Sequence, residues 1–191
     1  MNRKAQAAET AAALKSAAKR LFATRGYLNT KITDITTEAG RAAGSFYNHF
    51  ASKEELLEAL LADLDAASDD EVAREEHNAD FTDPAAVRFH VAVYWKVFHE
   101  HEATIRALRQ ASLVSEEFER KLNESVRRQI TELAGHLGSV AKLPAPPGVA
   151  MAMMLAFIDG FAQTRRDDLP DEDIIEALTR FVYRGLNGFD Y

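Results

Sequence analysis

The chain has 191 residues, of which 47% are hydrophobic and 28% charged, with a net charge of −7 and no cysteine. This length suits one large domain or a small domain joined to a larger one, and the lack of cysteine excludes disulfides, thiolate nucleophiles and Cys-based zinc sites. No segment approaches the ~20 apolar residues of a membrane span, and the Lys- and Arg-containing N-terminus lacks a signal-peptide core, so we expect a cytoplasmic protein without membrane contact.

Apolar residues recur at helical spacing along almost the whole chain, which predicts an all-α fold of about nine helices. Gly26 and Gly40 are placed to end the first two helices, and Thr30 to cap the second. Ser52 and Glu55 predict a capping box at the start of the fourth. The predicted helices cover about residues 7–25, 32–39, 42–49, 53–64, a fifth from Pro84, then 102–112, 115–142, 148–166 and 171–187, with 65–82 assigned to a frayed end and a loop.

Charge is unevenly distributed along the chain. Residues 1–53 contain nine Lys/Arg and three Asp/Glu, whereas the remainder contains 14 Lys/Arg and 27 Asp/Glu. A basic segment on an acidic body is typical of a chain in which one part meets a polyanion. Chance clustering on a solvated surface is the alternative.

The segment 32–50 has the pattern of a helix-turn-helix, with the motif spanning about 31–50. Phe46 and Phe50 are four residues apart, so both can anchor one face of the second short helix in a core. The opposite face is polar, and a DNA major groove about 12 Å wide admits one α-helix. The side chains that we expect to face the groove are Ser45, Tyr47, Asn48 and His49.

Residues that flank this helix are also suited to DNA. Thr30 and Thr33 lie at the N-terminus of the preceding helix, where free N–H groups and hydroxyls suit a phosphate. Lys53 lies in the first turn of the fourth helix, where its charge opposes the helix dipole, and a nearby phosphate would explain it. The alternatives are a packed core tyrosine at position 47 and an ordinary surface lysine at position 53.

Two stretches, LFATRGYLNTKITDITTEAG (21–40) and GSFYNHFASKEELLEALL (44–61), resemble the N-terminal domain of the TetR family of one-component transcriptional regulators. The resemblance implies that the DNA-facing positions are those named above. It also implies a C-terminal domain that dimerises and binds a small effector. We therefore predict a DNA-binding domain over 1–51 and a helical ligand-binding and dimerisation domain over 52–191.

The residue after the turn departs from the family pattern. Arg41 stands where the family usually has a small aliphatic residue, and Ala42 and Ala43 stand where a polar cap is common. An uncapped helix start costs about 1 kcal/mol. Because an arginine is not easily buried, we expect Arg41 to point at DNA, with a pair to Glu38 as the alternative.

The last two predicted helices have more apolar surface than one core needs. This predicts a homodimer through about 148–187, packed as a two-fold four-helix interface, with one deeply buried helix in a monomer as the alternative. A dimer would place two reading helices about 34–36 Å apart, matching a palindromic operator of double-stranded DNA.

Aromatic and Met side chains of the C-terminal part suit an apolar, adaptable cavity for a small hydrophobic effector. Residues 94–118 also resemble actinobacterial TetR-type regulators, which implies an elongated lipophilic effector. Taken alone, an aromatic or Met side chain of this kind is more often plain core than a ligand contact. The candidate pocket residues are Tyr94, Trp95, Phe98, Phe118, Met154, Phe157 and Phe161.

Enzyme and metal functions have little support. His99 and His101 are two residues apart and face different sides of a helix, whereas helical metal pairs are four apart. The chain has no G-x-S-x-G and no glycine-rich phosphate loop. We expect no catalytic residue, metal or cofactor. A helical protein–protein adaptor without DNA or ligand function is the competing hypothesis, and salt-sensitive duplex binding separates the two.

The sequence thus predicts a dimeric DNA-binding regulator, a repressor released from a palindromic operator by a small lipophilic effector. We expect the effector to favour a conformation in which the fourth helix is displaced. Lys53 and the capping box would link that displacement to the reading helix.

Overall fold

The computed structural model describes residues 3–73, 78–164 and 169–188, and this part of the chain contains α-helices, one short 3₁₀ helix and no strand. The all-α prediction is confirmed. Parts of the predicted loop over 65–82, and the predicted end of a helix at 166, lie outside the described residues. The helices are α1 (Arg3–Arg25), α2 (Ile32–Glu38), α3 (Ala43–Tyr47), α4 (Lys53–Ala73), α5 (Pro84–Ser112), α6 (Glu116–Ala134), the 3₁₀ helix Gly135–Leu137, α7 (Pro147–Thr164) and α8 (Asp171–Asn187).

Several helix boundaries differ from the predicted ones: α1 begins at Arg3 rather than near residue 7, and α4 continues to Ala73 instead of fraying after residue 64. The predicted fifth and sixth helices lie within α5, whose backbone leaves helical geometry at His101 (φ −120°, ψ 16°). Two helical segments therefore meet at a kink where the two helices were expected to separate. α6 ends at Ala134 rather than near residue 142, because Gly135 follows and glycine is a poor helix former.

Contacts divide the chain into two compact units. Unit 1 is residues 1–66 with 101–122, and unit 2 is residues 67–100 with 123–191. Helices α4, α5 and α6 each contribute residues to both units. The core of unit 1 joins α1, α2, α3, the first part of α4 and the segment 101–122, through buried side chains that include Leu14, Phe22, Ile35, Phe46, Leu57, Leu108 and Phe118.

Unit 2 is built around α5, α7 and α8. Asp83 caps α5 as predicted, since its carboxylate accepts the Ala85 N–H at 2.9 Å, and Pro84 is the first helical residue. The Tyr183 hydroxyl donates to the Thr82 carbonyl at 3.0 Å and thereby fixes α8 to the segment before α5. None of the helices in the described ranges is both long and apolar enough to cross a membrane. Buried side chains of this unit include Val87, Val91, Trp95, Met151, Met154, Ile158, Ile174, Leu178 and Val182.

Candidate nucleic-acid interface

α2 and α3 are joined by a turn that glycine makes possible. Gly40 has φ 63°, in the left-handed region that glycine adopts without strain. The Arg41 N–H donates to the Thr36 carbonyl at 2.9 Å, and the Gly40 N–H donates to the Thr37 carbonyl at 3.1 Å. These bonds satisfy the last carbonyls of α2 and fix the direction in which α3 leaves.

α3 is anchored on one face and exposed on the other, as predicted. Phe46 is completely buried and its ring centroid lies 5.7 Å from that of Phe50. Tyr47 is 61% exposed and packs edge-on against Phe46 at 5.6 Å. The alternative of a packed core tyrosine is therefore wrong.

The other residues that were predicted to face DNA, on α3 and directly after it, differ in their exposure to solvent. Asn48 is exposed, whereas Ser45 and His49 are half-buried. Ala42 is the N-cap and makes no side-chain capping bond, as its sequence position predicted. Because Ala43 and Gly44 are small and exposed, the backbone at the start of α3 can approach a partner closely.

The two predicted threonines have different environments. Thr33 is exposed on the first turn of α2. Thr30 is only 1% exposed, and its hydroxyl donates to the Gly26 carbonyl at 2.7 Å. The predicted cap is wrong by one residue, since Lys31 is the N-cap of α2 and its N–H donates to the Asp34 carboxylate at 2.9 Å.

Lys31 is a residue that the sequence analysis did not select. Its side chain is exposed at the start of α2, beside Thr33. Its position could have identified it, because Lys31 lies between the end of α1 and the first residue of α2. A cation at that position can bind the same DNA phosphate as the free N–H groups of the helix N-terminus.

Lys53 is half-buried and bonded to the protein itself. Its ammonium donates to the carbonyls of Tyr27 and Thr30, each at 2.8 Å, and lies 4.0 Å from the centroid of the Tyr27 ring. Burial lowers the pKa of Lys53, and the neighbouring Glu54 carboxylate partly opposes that change. Lys53 therefore ties the first turn of α4 to the segment between α1 and α2.

Further hydrogen bonds connect Tyr27 to its neighbours beside Lys53. The Tyr27 hydroxyl donates to the Glu54 carboxylate at 2.8 Å, and the Tyr27 N–H donates to the Gln110 side-chain oxygen at 2.7 Å. Burial and the bond to Glu54 raise the pKa of Tyr27. Burial by itself would raise the pKa of Glu54, but the bonds from Tyr27 and Ser52 and the charge of Lys53 outweigh it, and the net shift is downward.

The lowered pKa of Glu54 predicts a pH-dependent stability. Because the folded pKa lies below the ordinary value of 4.5, the stabilisation is present above that value and is lost as the pH falls through the folded pKa. We expect Glu54→Gln to flatten the fall in unfolding free energy below pH 4.5, measured by urea denaturation across pH 3–7. Glu119→Gln, at an exposed position on α6, is the control. An unchanged pH profile in Glu54→Gln would contradict the assignment.

Arg41 does not make the pair that was the alternative to DNA. Its guanidinium bonds the Glu9 carboxylate at 3.1 Å, whereas Glu38 pairs with Arg20 at 2.7 Å. The Arg41 side chain is 34% exposed. The pair to Glu38 is therefore wrong, and Arg41 links α1 to the turn before α3.

Internal pairing reduces the positive charge that the N-terminal segment offers to a polyanion. Within the described part of residues 1–53, at least five basic side chains are engaged by groups of the protein itself. Lys31, in contrast, has an exposed side chain at the start of α2. The engaged cations are Lys15 with Asp63, Arg20 with Glu38, Arg25 with Asp34, Arg41 with Glu9, and Lys53 with two carbonyls.

Six of the seven predicted pocket residues belong to unit 2, and the ring centroids of Trp95 and Phe161 lie 6.2 Å apart. Phe98 and Met154 are buried. The Tyr94 hydroxyl donates to Asp159 at 2.6 Å, and the Trp95 indole N–H donates to Asp171 at 3.0 Å. This is an apolar region whose two polar tips are held by carboxylates of α7 and α8.

Phe118, Phe157 and Phe161 differ from one another in burial. Phe118 is 1% exposed within the core of unit 1. Phe157 and Phe161 are 37% and 38% exposed on the outer side of α7. Phe157 stacks on Phe181 of α8, with centroids 4.4 Å apart and 17° between the ring planes, so an aromatic pair bridges the two helices at the surface.

The described residues contain no cluster of three or more His, Asp or Glu side chains arranged to hold a metal ion. Nδ1 of His99 lies 2.8 Å from the Trp95 carbonyl oxygen. His101 occupies the non-helical position in α5.

A short helix anchored by phenylalanines, with an exposed polar face after a glycine turn, defines a helix-turn-helix DNA-binding protein. The model of the family "Bacterial regulatory proteins, tetR family" matches residues 14–60. The chain is 31% identical over 199 aligned positions to the HTH-type transcriptional regulator TtgR of Pseudomonas putida, covering 96% of this chain and 93% of that protein. The chain belongs to the TetR family of DNA-binding transcriptional regulators.

Two further relatives illustrate the two parts of this likeness. The HTH-type transcriptional repressor KstR2 of Mycobacterium tuberculosis is 51% identical over 41 residues, or 22% of this chain and 20% of that protein. The crystal structure of AibR in complex with isovaleryl coenzyme A and operator DNA has the same fold, with a TM-score of 0.74 at 18% identity over 91% of this chain and 98% of that one. Dimerisation and ligand binding are typical of this family.

Proposed function

We propose that this protein is a homodimeric repressor that binds a palindromic operator and is released from it by a small apolar effector. The observation that carries the DNA-binding part is the opposite placement of two adjacent side chains on α3: Phe46 is buried and Tyr47 is 61% exposed. A chromosomal operator implies a cytoplasmic location. The proposed DNA contacts are Lys31, Thr33, Ser45, Tyr47, Asn48 and His49.

Three of the residues predicted to touch DNA have a different part in this proposal. Thr30, Arg41 and Lys53 hold the helix-turn-helix to α1 and α4 through the bonds to Gly26, Glu9 and the Tyr27 carbonyl. They therefore position the reading helix, and a change at any of them acts on DNA through α2 and α3.

The proposed dimer uses the outer face of α7 and α8. Five large apolar side chains of this face are exposed, and contiguous exposed apolar surface marks an interaction site. Phe157 and Phe161 belong to this face in our proposal, and the effector site is confined to the region of Tyr94 and Trp95. The exposed members of the face are Val149, Met153, Phe157, Phe161 and Phe181.

Effector control is proposed to pass through α4. Lys53 bonds the carbonyl of Thr30, directly before α2, and the Ala51 N–H, directly after the Phe50 anchor, donates to Glu55 of α4. A displacement of α4 would therefore be felt at both ends of the helix-turn-helix. An effector that binds the displaced state more tightly would shift the population away from the DNA-binding form. AibR, crystallised with isovaleryl coenzyme A and operator DNA, is a protein of this fold that binds both kinds of partner.

The test is fluorescence anisotropy of the purified protein with duplex DNA from its own upstream region, at two salt concentrations. We expect specific binding that weakens with salt. Tyr47→Ala should weaken it about 5- to 150-fold, because a lost reading contact costs about 1–3 kcal/mol. Tyr47→Phe tests the hydroxyl alone, and Val126→Ala, exposed on α6, is the control.

Two outcomes would contradict the proposal. Wild-type affinity in Tyr47→Ala would remove the exposed face of α3 from the interface. If neither the upstream DNA nor a genome-wide selection yields a specific site, the protein is not an operator-binding regulator.

A further inference from the structure

The outer face of α8 is acidic in its first half and basic in its second. Asp173 and Glu176 are followed at helical spacing by Arg180 and Arg184, and with Ala177 these residues line a shallow surface depression. The helix dipole favours this order of charges within a single helix. The dipole does not explain why the same depression is also lined by Phe181.

Phe181 gives the outer face of α8 a large exposed apolar side chain. It is 61% exposed and stacks on Phe157 of α7 with centroids 4.4 Å apart. Two phenylalanines ordered against each other at the surface present a flat apolar patch, and the four charged residues form a stripe beside it on α8. Apolar and charged residues side by side are typical of a protein interface.

We propose that a second copy of this chain covers this face with its α8 antiparallel to this one, so that Asp173 meets the partner subunit's Arg184 and Glu176 meets the partner subunit's Arg180. The proposal rests on the homodimer proposed above and adds the direction and register of its central helices. The charges would thus select a second copy of this chain over other proteins with a similar apolar face.

Symmetry supports this register. A two-fold axis perpendicular to α8 pairs residues that lie at equal distances on either side of it. Asp173 and Arg184, like Glu176 and Arg180, lie almost symmetrically about Leu178, so one axis at that level serves both pairs. An axis parallel to α8 would instead place acids against acids and bases against bases, which costs free energy at an interface.

Asp173, Arg180 and Arg184 are exposed, and Glu176 is half-buried. Glu176 and Arg180 form an i,i+4 pair at 4.0 Å, with side chains 46% and 63% exposed, and exposed pairs of this kind contribute little. Glu172, on the same helix, is bonded by Arg88 of α5 and is therefore not part of the proposed register.

The test measures the dimer dissociation constant by sedimentation equilibrium for Asp173→Arg, for Arg184→Asp, and for the two together. Each single variant places two like-charged pairs in the dimer, and we expect the dissociation constant to rise about tenfold. The double variant should return to within about threefold of wild type. An equimolar mixture of the two single variants should form heterodimers of wild-type strength, because every pair across that interface is again opposite in sign.

Two comparisons make the outcomes separable. Glu132→Arg, at an exposed position on α6, is the matched charge reversal and should leave the dimer unchanged. If Phe181→Glu abolishes the dimer but neither the single reversals nor their mixture behaves as described, the dimer face stands and the antiparallel register is overturned. If Phe181→Glu leaves the dimer intact, the proposed interface itself fails.

Discussion

Replacing Phe46 by alanine is expected to abolish operator binding through loss of the reading helix rather than of a DNA contact. Phe46 is completely buried, and α3 has only five residues and no side-chain cap, so it depends on its anchor. Truncation of a buried phenylalanine costs about 3–5 kcal/mol. The free energy of opening of α2 and α3, measured by amide hydrogen exchange, should fall by a similar amount.

Tyr47→Ala is the matched control, because the two residues are adjacent on one helix and face opposite ways. We expect Tyr47→Ala to lose DNA affinity while the opening free energy of the α2 and α3 amides changes by no more than about 1.5 kcal/mol, the size of the lost edge-on contact with Phe46. Phe46→Leu should show an intermediate loss of protection. Full operator affinity in Phe46→Ala would contradict the assignment of Phe46 as the anchor.

Replacing Phe181 by glutamate is expected to yield a monomer with at least about 100-fold weaker operator affinity. The Phe181 ring is 61% exposed and stacks on Phe157. In the proposed dimer both rings would be buried between the two subunits, so the substitution would place a charge in an apolar contact. A dimer gains about 10²–10⁴ in affinity because its second reading helix binds at high effective concentration. Sedimentation and anisotropy with full and half operators check both effects.

Val126→Glu is the control for Phe181→Glu, since Val126 is 43% exposed on α6 and outside the proposed face. A half operator should bind the monomeric variant and wild type with similar affinity, because only one reading helix is used. A Phe181→Glu protein that remains dimeric, or a monomer that keeps full operator affinity, would contradict the proposed arrangement.

Local features of the fold were predictable because they depend on neighbours in sequence. Gly26 and Gly40 take positive φ of 77° and 63°, Asp83 caps α5, and the Ser52 hydroxyl accepts the Glu55 N–H at 3.1 Å. The helix boundaries that were wrong are those decided by weaker signals, such as the end of α4, which continues to Ala73.

The opposite faces of α3 were also predictable, because a spacing of four between Phe46 and Phe50 fixes one side of a helix and leaves Tyr47 on another. The partners of Arg41 and Lys53 were not. Arg41 meets Glu9, 32 positions away, and Lys53 meets the Thr30 carbonyl, 23 positions away. No helical periodicity brings such pairs together, so their contacts depend on how the helices pack.

By itself, the sequence determined that this protein is helical, where its reading helix lies and which family it belongs to, since these follow from periodicity, turn chemistry and a contiguous motif. Only the tertiary structure decided which cations are paired with groups of the protein itself and which aromatic residues are buried or exposed. Phe118 and Phe157 look alike in sequence, yet one is buried in unit 1 and the other is exposed beside Phe181. Burial depends on residues far apart in the chain, and a pattern of near neighbours does not contain that information.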